Sequence, residues 1–125
     1  MEAGRDPRPV VDLKDAIRQS NGLLFATQEY NWGTSGALKN AIDWASRDKV
    51  EVSLIGKPAA IVGTGGRSGT ARGQVQLQQT LAETGSLVLA KPGLLVAAFA
   101  QMKFDDNDDL VDDDTKRLLG SHLEE

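Results

Sequence analysis

Two stretches of the sequence carry residues suited to ligand chemistry. The first is Gly63-Thr64-Gly65-Gly66-Arg67-Ser68-Gly69-Thr70, four glycines set ahead of a helical pattern. Without Cβ atoms such a segment lets backbone N–H groups approach a ligand closely. Gly63, Gly65 and the serine at 68 miss the dinucleotide fingerprint, and no Gly-Lys-Ser/Thr follows. Taken alone, the loop is a solvent-exposed turn. The second stretch, Gln28-Glu29-Tyr30-Asn31, is a polar turn with one aromatic after an apolar run, and alone it implies no more than a packed Tyr30.

Other chemistries find little support. There is no cysteine, so neither a thiol nucleophile nor a disulfide framework, which is compatible with a reducing cytosol. Asp105, Asn107 and Asp109 fall at positions 1, 3 and 5 of a calcium loop, but Leu110 stands where glycine is needed and Lys116 where glutamate is. A solvated turn is expected. His122, the one histidine, lies in a polar tail and reads as part of a dangling end. A net charge of −4 without a clustered basic face argues against nucleic acid. The longest apolar run, Leu94 to Ala100, is far below the ~18 residues of a membrane helix, and no signal-peptide pattern opens the chain. The expectation is a soluble, cytoplasmic protein.

These loops need a scaffold, and 125 residues suit one domain, 1–125, with residues 1–9 as a flexible arm. Val10, Leu13, Ala16 and Ile17 predict a helix over Val10 to Gln19. The apolar run Gly22 to Ala26 suits a strand buried on both faces, Leu23 to Thr27. Thr34 or Ser35 can cap the next helix, with Leu38, Ala41, Ile42 and Ala45 inward and Asp43 paired with Arg47. A second strand is expected over Lys57 to Val62, opened by Pro58. A helix follows from about Ala71, with Val75, Leu77, Leu81 and Ala82 inward and Gly85 at its end. Ser86 to Ala90 and Leu94 to Phe99 are strand-like, split by Lys91-Pro92-Gly93. A last helix spans about Asp114 to Leu123, acidic at its N-terminal end. Strands alternating with helices predict a parallel sheet in a three-layer α/β/α sandwich.

The segment Thr27-Gln28-Glu29-Tyr30-Asn31, then Ser35-Gly36, Leu38-Lys39-Asn40-Ala41-Ile42-Asp43-Trp44 and Ser46-Arg47, resembles the signature of the NADPH-dependent FMN reductases. It departs at Gln28, where that family usually has proline, a residue that would fix φ. The resemblance implies a flavodoxin-like fold lacking the family's first two strands and first helix, and with them its phosphate-binding loop. It further implies FMN and NADPH as cofactors and a quinone-like acceptor. Gln28, Glu29, Tyr30 and Asn31 would lie beside the flavin ring, and Gly65, Gly66 and Arg67 would line it. Trp44 would sit at a subunit interface or in the core. An open edge at Leu23 to Thr27 implies a homo-oligomer. The alternative to an oxidoreductase is a non-catalytic oligomerisation or interaction domain with weak or no FMN binding.

Overall fold

The computed structural model describes residues 5–48, 52–89, 94–97 and 103–124. Helix α1 spans Arg8–Gln19, with proline in its first turn, where the missing N–H is tolerated. Its buried stripe differs from the expected one, because Lys14 fills a core position while Ala16 is exposed. The Lys14 ammonium binds Asp6 at 2.6 Å, Asp48 at 2.7 Å and the Arg47 carbonyl at 2.9 Å. Burial alone would lower its pKa, but the hydrogen bonds to Asp48 and Asp6 outweigh this and raise it above 10.5. Its stabilising contribution is therefore complete below pH 10.5 and is lost as pH rises from there through the raised value. Asp6, inside the stretch expected to be an arm, is thus anchored; residues 1–4 lie outside the described residues. Lys14→Ala should cost about 3 kcal/mol, the low end for breaking a buried pair because both carboxylates can turn to water, and urea melts would measure it.

Strand β1 (Leu23–Ala26) pairs in parallel with β2 (Pro58–Gly65), Leu23 opposite Ala59 and Ala26 opposite Val62. β2 runs three residues past its expected end, so Gly63 to Gly65 are strand. Ala59 also pairs with Val88 of β3 (Leu87–Val88), and Val62 with Leu94 of β4 (Leu94–Ala97). Since β1 already holds one side of β2 at both points, β3 and β4 lie end to end along the other. The two expected strands therefore form one interrupted row; residues 90–93 lie outside the described residues.

Helices α2 (Gly36–Ala45) and α3 (Ala71–Glu83) join α1 over one sheet face. Ser35, not Thr34, caps α2 by accepting from the Leu38 N–H at 3.2 Å. Ile42 and Ala45 are buried with Leu38 packed beside them, as the spacing predicts, while Trp44 is half-buried on the flank. Asp43 pairs with Lys39 at 2.7 Å, not with Arg47, whose carbonyl serves Lys14. In α3 the expected stripe is corrected: Val75 is 55% exposed and Ala82 is exposed. Gly73, Gln74, Leu77 and Leu81 face inward instead, because the Gln74 amide donates to Thr70 Oγ1 and to the Leu94 carbonyl, both at 2.9 Å, and so takes a core position. Gly85 ends α3 at φ +79°, where glycine is favoured.

The other sheet face carries α4 (Asp113–Leu123). β1 alternates half-buried and exposed residues, with Leu24 46% exposed, so it is covered on one face and not on both as its apolar run suggested. His122 is not in a dangling tail: it is 2% exposed on the last turn of α4, and neither ring nitrogen has a partner. Asp105 folds the acidic turn by accepting from the Asn107 and Asp109 N–H groups, and among the described residues no acidic or histidine cluster is placed to hold a metal. No described helix is long and apolar enough to cross a membrane.

Asp112 caps α4, accepting from the Thr115 N–H at 2.9 Å and the Thr115 hydroxyl at 2.5 Å, and pairs with Lys103 at 2.7 Å. The Lys103 ammonium first, then Thr115, hold its carboxyl at about 2, below the ordinary 3.8. A depressed carboxylate stabilises the fold above its unfolded value and loses that stabilisation as pH falls through the folded one. Melting temperature should therefore decline between pH 3.8 and about 2. Asp112→Asn, which still caps, should flatten the part of that decline owed to this group; an unchanged slope would contradict the assignment.

Candidate functional site

Because β1 and β2 are parallel neighbours, the segments that follow them emerge side by side at the same end of the sheet. Thr27 continues the ladder through its N–H to the Val62 carbonyl at 3.0 Å and is buried, its hydroxyl sharing a 3.0 Å hydrogen bond with that of Thr34. Beyond it the chain makes a two-residue turn in which Tyr30 and Gly33 exchange N–H to carbonyl bonds of 2.9 Å each. Asn31 and Trp32 fill the turn at φ +49° and +67°. Two successive left-handed residues define a type I′ turn, which asparagine enters readily and tryptophan does not. Tyr30 is 62% exposed and Trp32 71%.

Glu29 ties this turn to the glycine-rich loop. Its Oε2 accepts from the Arg72 and Gly73 N–H groups, both at 2.9 Å. Thr70, the residue before α3, makes no side-chain cap of its own, so a carboxylate from the neighbouring loop fills the N-terminus of α3. Gln76 adds a second tie, accepting from the Thr34 N–H at 2.8 Å.

The glycines of the second loop have internal work. A Cβ on Gly63 would overlap the Thr70 hydroxyl and the Thr27 carbonyl, and one on Gly65 would sit 2.5 Å from the Gly69 carbonyl. The loop is folded back on β2 with Thr70 fully buried, so it is not the free turn that its composition alone suggested. Gly66 and Arg67 lie at its tip, Arg67 exposed.

Between the carboxyl ends of β1, β2 and β4 and the underside of α4 lies a cleft of about 470 Å³. Gln28, Thr64, Val96, Phe104 and Leu119 are among its walls, which are largely apolar. The Thr64 hydroxyl oxygen is buried there and has no partner. An apolar cleft of this size with an orphan hydroxyl fits a flat heteroaromatic ring offering one hydrogen bond. A phosphate is served less well on this side, because the helix N-terminus beside the glycine-rich loop already holds the Glu29 carboxylate.

Of the residues expected from sequence, Gln28, Glu29, Tyr30 and Asn31 are brought to the same sheet end as Gly65, Gly66 and Arg67. Gln28 walls the cleft, whereas the Glu29 side chain faces α3. Sequence reasoning passed over Trp32, Thr64, Arg72 and Gln76. The Asn31-Trp32 pair within a polar stretch carried a weak turn signal, but nothing local marks Gln76 as the partner of a residue 42 positions earlier.

An open parallel sheet flanked by helices on both faces, with a ring-sized cleft between its strands and α4, defines a flavodoxin-like α/β protein. The model of the NADPH-dependent FMN reductases matches residues 1–101, and the chain belongs to that family. An NAD(P)H-dependent FMN reductase of Pseudomonas aeruginosa is 45% identical over 119 residues, 94% of this chain and 63% of its own length. An NADPH:quinone oxidoreductase of Arabidopsis thaliana is 41% identical over 113 residues, 89% of this chain and 57% of its own. Among solved structures, the flavoenzyme NAD(P)H:(acceptor) oxidoreductase FerB of Paracoccus denitrificans superposes with a TM-score of 0.84 at 34% identity, covering 96% of this chain and 66% of that one. The chain thus spans about three fifths of the length of the two named reductases.

Proposed function

We propose that this chain supplies the flavin-ring side of an NAD(P)H-dependent FMN oxidoreductase, with a quinone as acceptor. The observation that carries this reading is the meeting of the Gln28–Asn31 turn and the Gly63–Thr70 loop beside a ring-sized cleft that Gln28, Gly63 and Thr64 help to line. When bound, FMN would supply the redox chemistry, hydride transfer between NADPH and the acceptor, so no side-chain nucleophile is required. The chain's own part would be to hold the ring: Gln28 and Thr64 offer polar atoms and the apolar wall excludes water, while Tyr30, Asn31, Gly65, Gly66 and Arg67, which do not line the cleft, are proposed to contact the ring from the two neighbouring loops. The names of the relatives support the cofactor pair and the quinone class. NADPH consumption with excess FMN and a simple naphthoquinone tests the reading: turnover above that of free FMN is expected, and equality with free FMN would overturn it.

A second reading is a non-catalytic interaction domain of the cytoplasm, favoured by the Glu29 carboxylate at the N-terminus of α3 and by the open side of β1. Among the described residues β1 has a strand partner on one side only, and it bears no charge or proline to block a further one. Either reading entails a homo-oligomer using that edge or the face around Trp44. Sedimentation should find assemblies at micromolar concentration, and a stable monomer there would contradict the edge argument.

A further inference from the structure

We propose that the Asn21-Gly22 junction between α1 and β1 is a site of spontaneous deamidation, converting Asn21 to a mixture of aspartate and isoaspartate. The reaction needs only water. The main-chain nitrogen of Gly22, on losing its proton to solvent base, attacks the carbonyl carbon of the Asn21 side chain; a C–N bond forms, the bond to the amide nitrogen breaks and ammonia leaves. Water then opens the resulting cyclic imide at either carbonyl, and nothing is oxidised or reduced. Asparagine is among the thermolabile residues, and the attack is least hindered where the next residue carries no side chain.

The structure leaves both reacting groups accessible. Asn21 and Gly22 are exposed and lie outside helix and strand. Among the described residues neither the Asn21 side chain nor the Gly22 N–H has a hydrogen-bond partner. The chain on either side is held: the Lys57 ammonium donates to the Arg18 and Ser20 carbonyls, and Leu23 begins the ladder opposite Ala59. The other three asparagines are each impeded. Asn40 lies within α2, where the following N–H is bound into the helix. The N–H after Asn107 donates to the Asp105 carbonyl at 3.1 Å. Asn31 is followed by the bulky Trp32, and both are fixed in the turn that Tyr30 and Gly33 close. The backbone does not itself demand glycine at position 22, since its φ is not left-handed and an added Cβ would make only ordinary contact, 3.5 Å from the Pro58 carbonyl oxygen. The product sets a new carboxylate, and in isoaspartate an extra backbone methylene, immediately ahead of β1.

Peptide mapping by mass spectrometry of the purified chain, aged in mildly alkaline buffer, reads the conversion at each asparagine, and enzymatic methylation of isoaspartyl carboxyls identifies the product. Asn21 should convert at least about tenfold faster than Asn31, Asn40 or Asn107, a barrier difference of ~1.4 kcal/mol. In urea its rate should stay within a few-fold of the native one, because the fold does not shield it. Gly22→Ala should melt within a few degrees of the parent and convert roughly tenfold more slowly. A native Asn21 rate no higher than that of Asn107, an Asn21 rate that rises more than about tenfold on unfolding, or an unchanged rate in Gly22→Ala overturns the proposal. The comparison of folded with urea-unfolded chain needs no variant, so it decides the matter should Gly22→Ala fail to fold.

Discussion

Ile42→Asp should leave the protein largely unfolded. Ile42 is 3% exposed in the cluster formed with Ile17, Ala45, Leu54 and Leu77 between α1, α2 and the sheet. The substitution removes a buried aliphatic group, a loss of about 2 to 5 kcal/mol by analogy with large-to-small changes, and asks a carboxylate to enter an apolar site. A domain of this size has ~5 to 15 kcal/mol in total, so the native state should cease to dominate. Asn40→Asp, on the exposed side of the same helix, should change stability by less than ~0.5 kcal/mol. Thermal melts by circular dichroism compare the two. A cooperative Ile42→Asp transition within a few degrees of the parent would mean that the buried face of α2 is wrongly assigned.

The helix carrying Ile42 was legible in the sequence because its evidence is local: a serine cap, a spacing of three and four, and a long match to a family signature. The same holds for β1, for Pro58 at the start of β2, and for Gly85 after α3. The misread positions depend on partners far along the chain. Lys14 enters the core because Asp6 and Asp48 converge on it, and a sequence pattern assigns a lysine to solvent by default. Gln74 displaces Val75 from the buried stripe through a bond to a carbonyl 20 residues away. Gly63 to Gly65 looked like loop because glycine weakens a strand in general. Here its absent side chain is what lets Thr70 pack against β2. At the site, the loops were found by resemblance, while the role of Glu29 as the cap of α3 could be seen only once the two loops were adjacent. His122 shows the reverse error, since polar sequence neighbours concealed a buried ring.

FMN affinity of this chain should be far below that of the Pseudomonas aeruginosa reductase, of whose length it spans 63%. The Gln28–Asn31 turn and the Gly63–Thr70 loop, proposed to flank the ring, are adjacent, whereas the helix N-terminus nearest the glycine-rich loop is committed to Glu29. Each charge-assisted hydrogen bond to a phosphate contributes ~1.5 to 3 kcal/mol, so forgoing just two weakens binding by roughly 10² to 10⁴-fold at ~1.4 kcal/mol per decade. A tight site becomes a micromolar or weaker one, and the protein should purify mostly colourless. The sharper expectation is that the ring, and not the phosphate, is what this chain holds. Fluorescence titration of the purified chain with FMN and, in parallel, with riboflavin tests it most directly. Saturable binding of both, with dissociation constants within a few-fold of each other, is the expected result. FMN retained stoichiometrically through purification with riboflavin bound far more weakly, or no binding of either flavin, would contradict it.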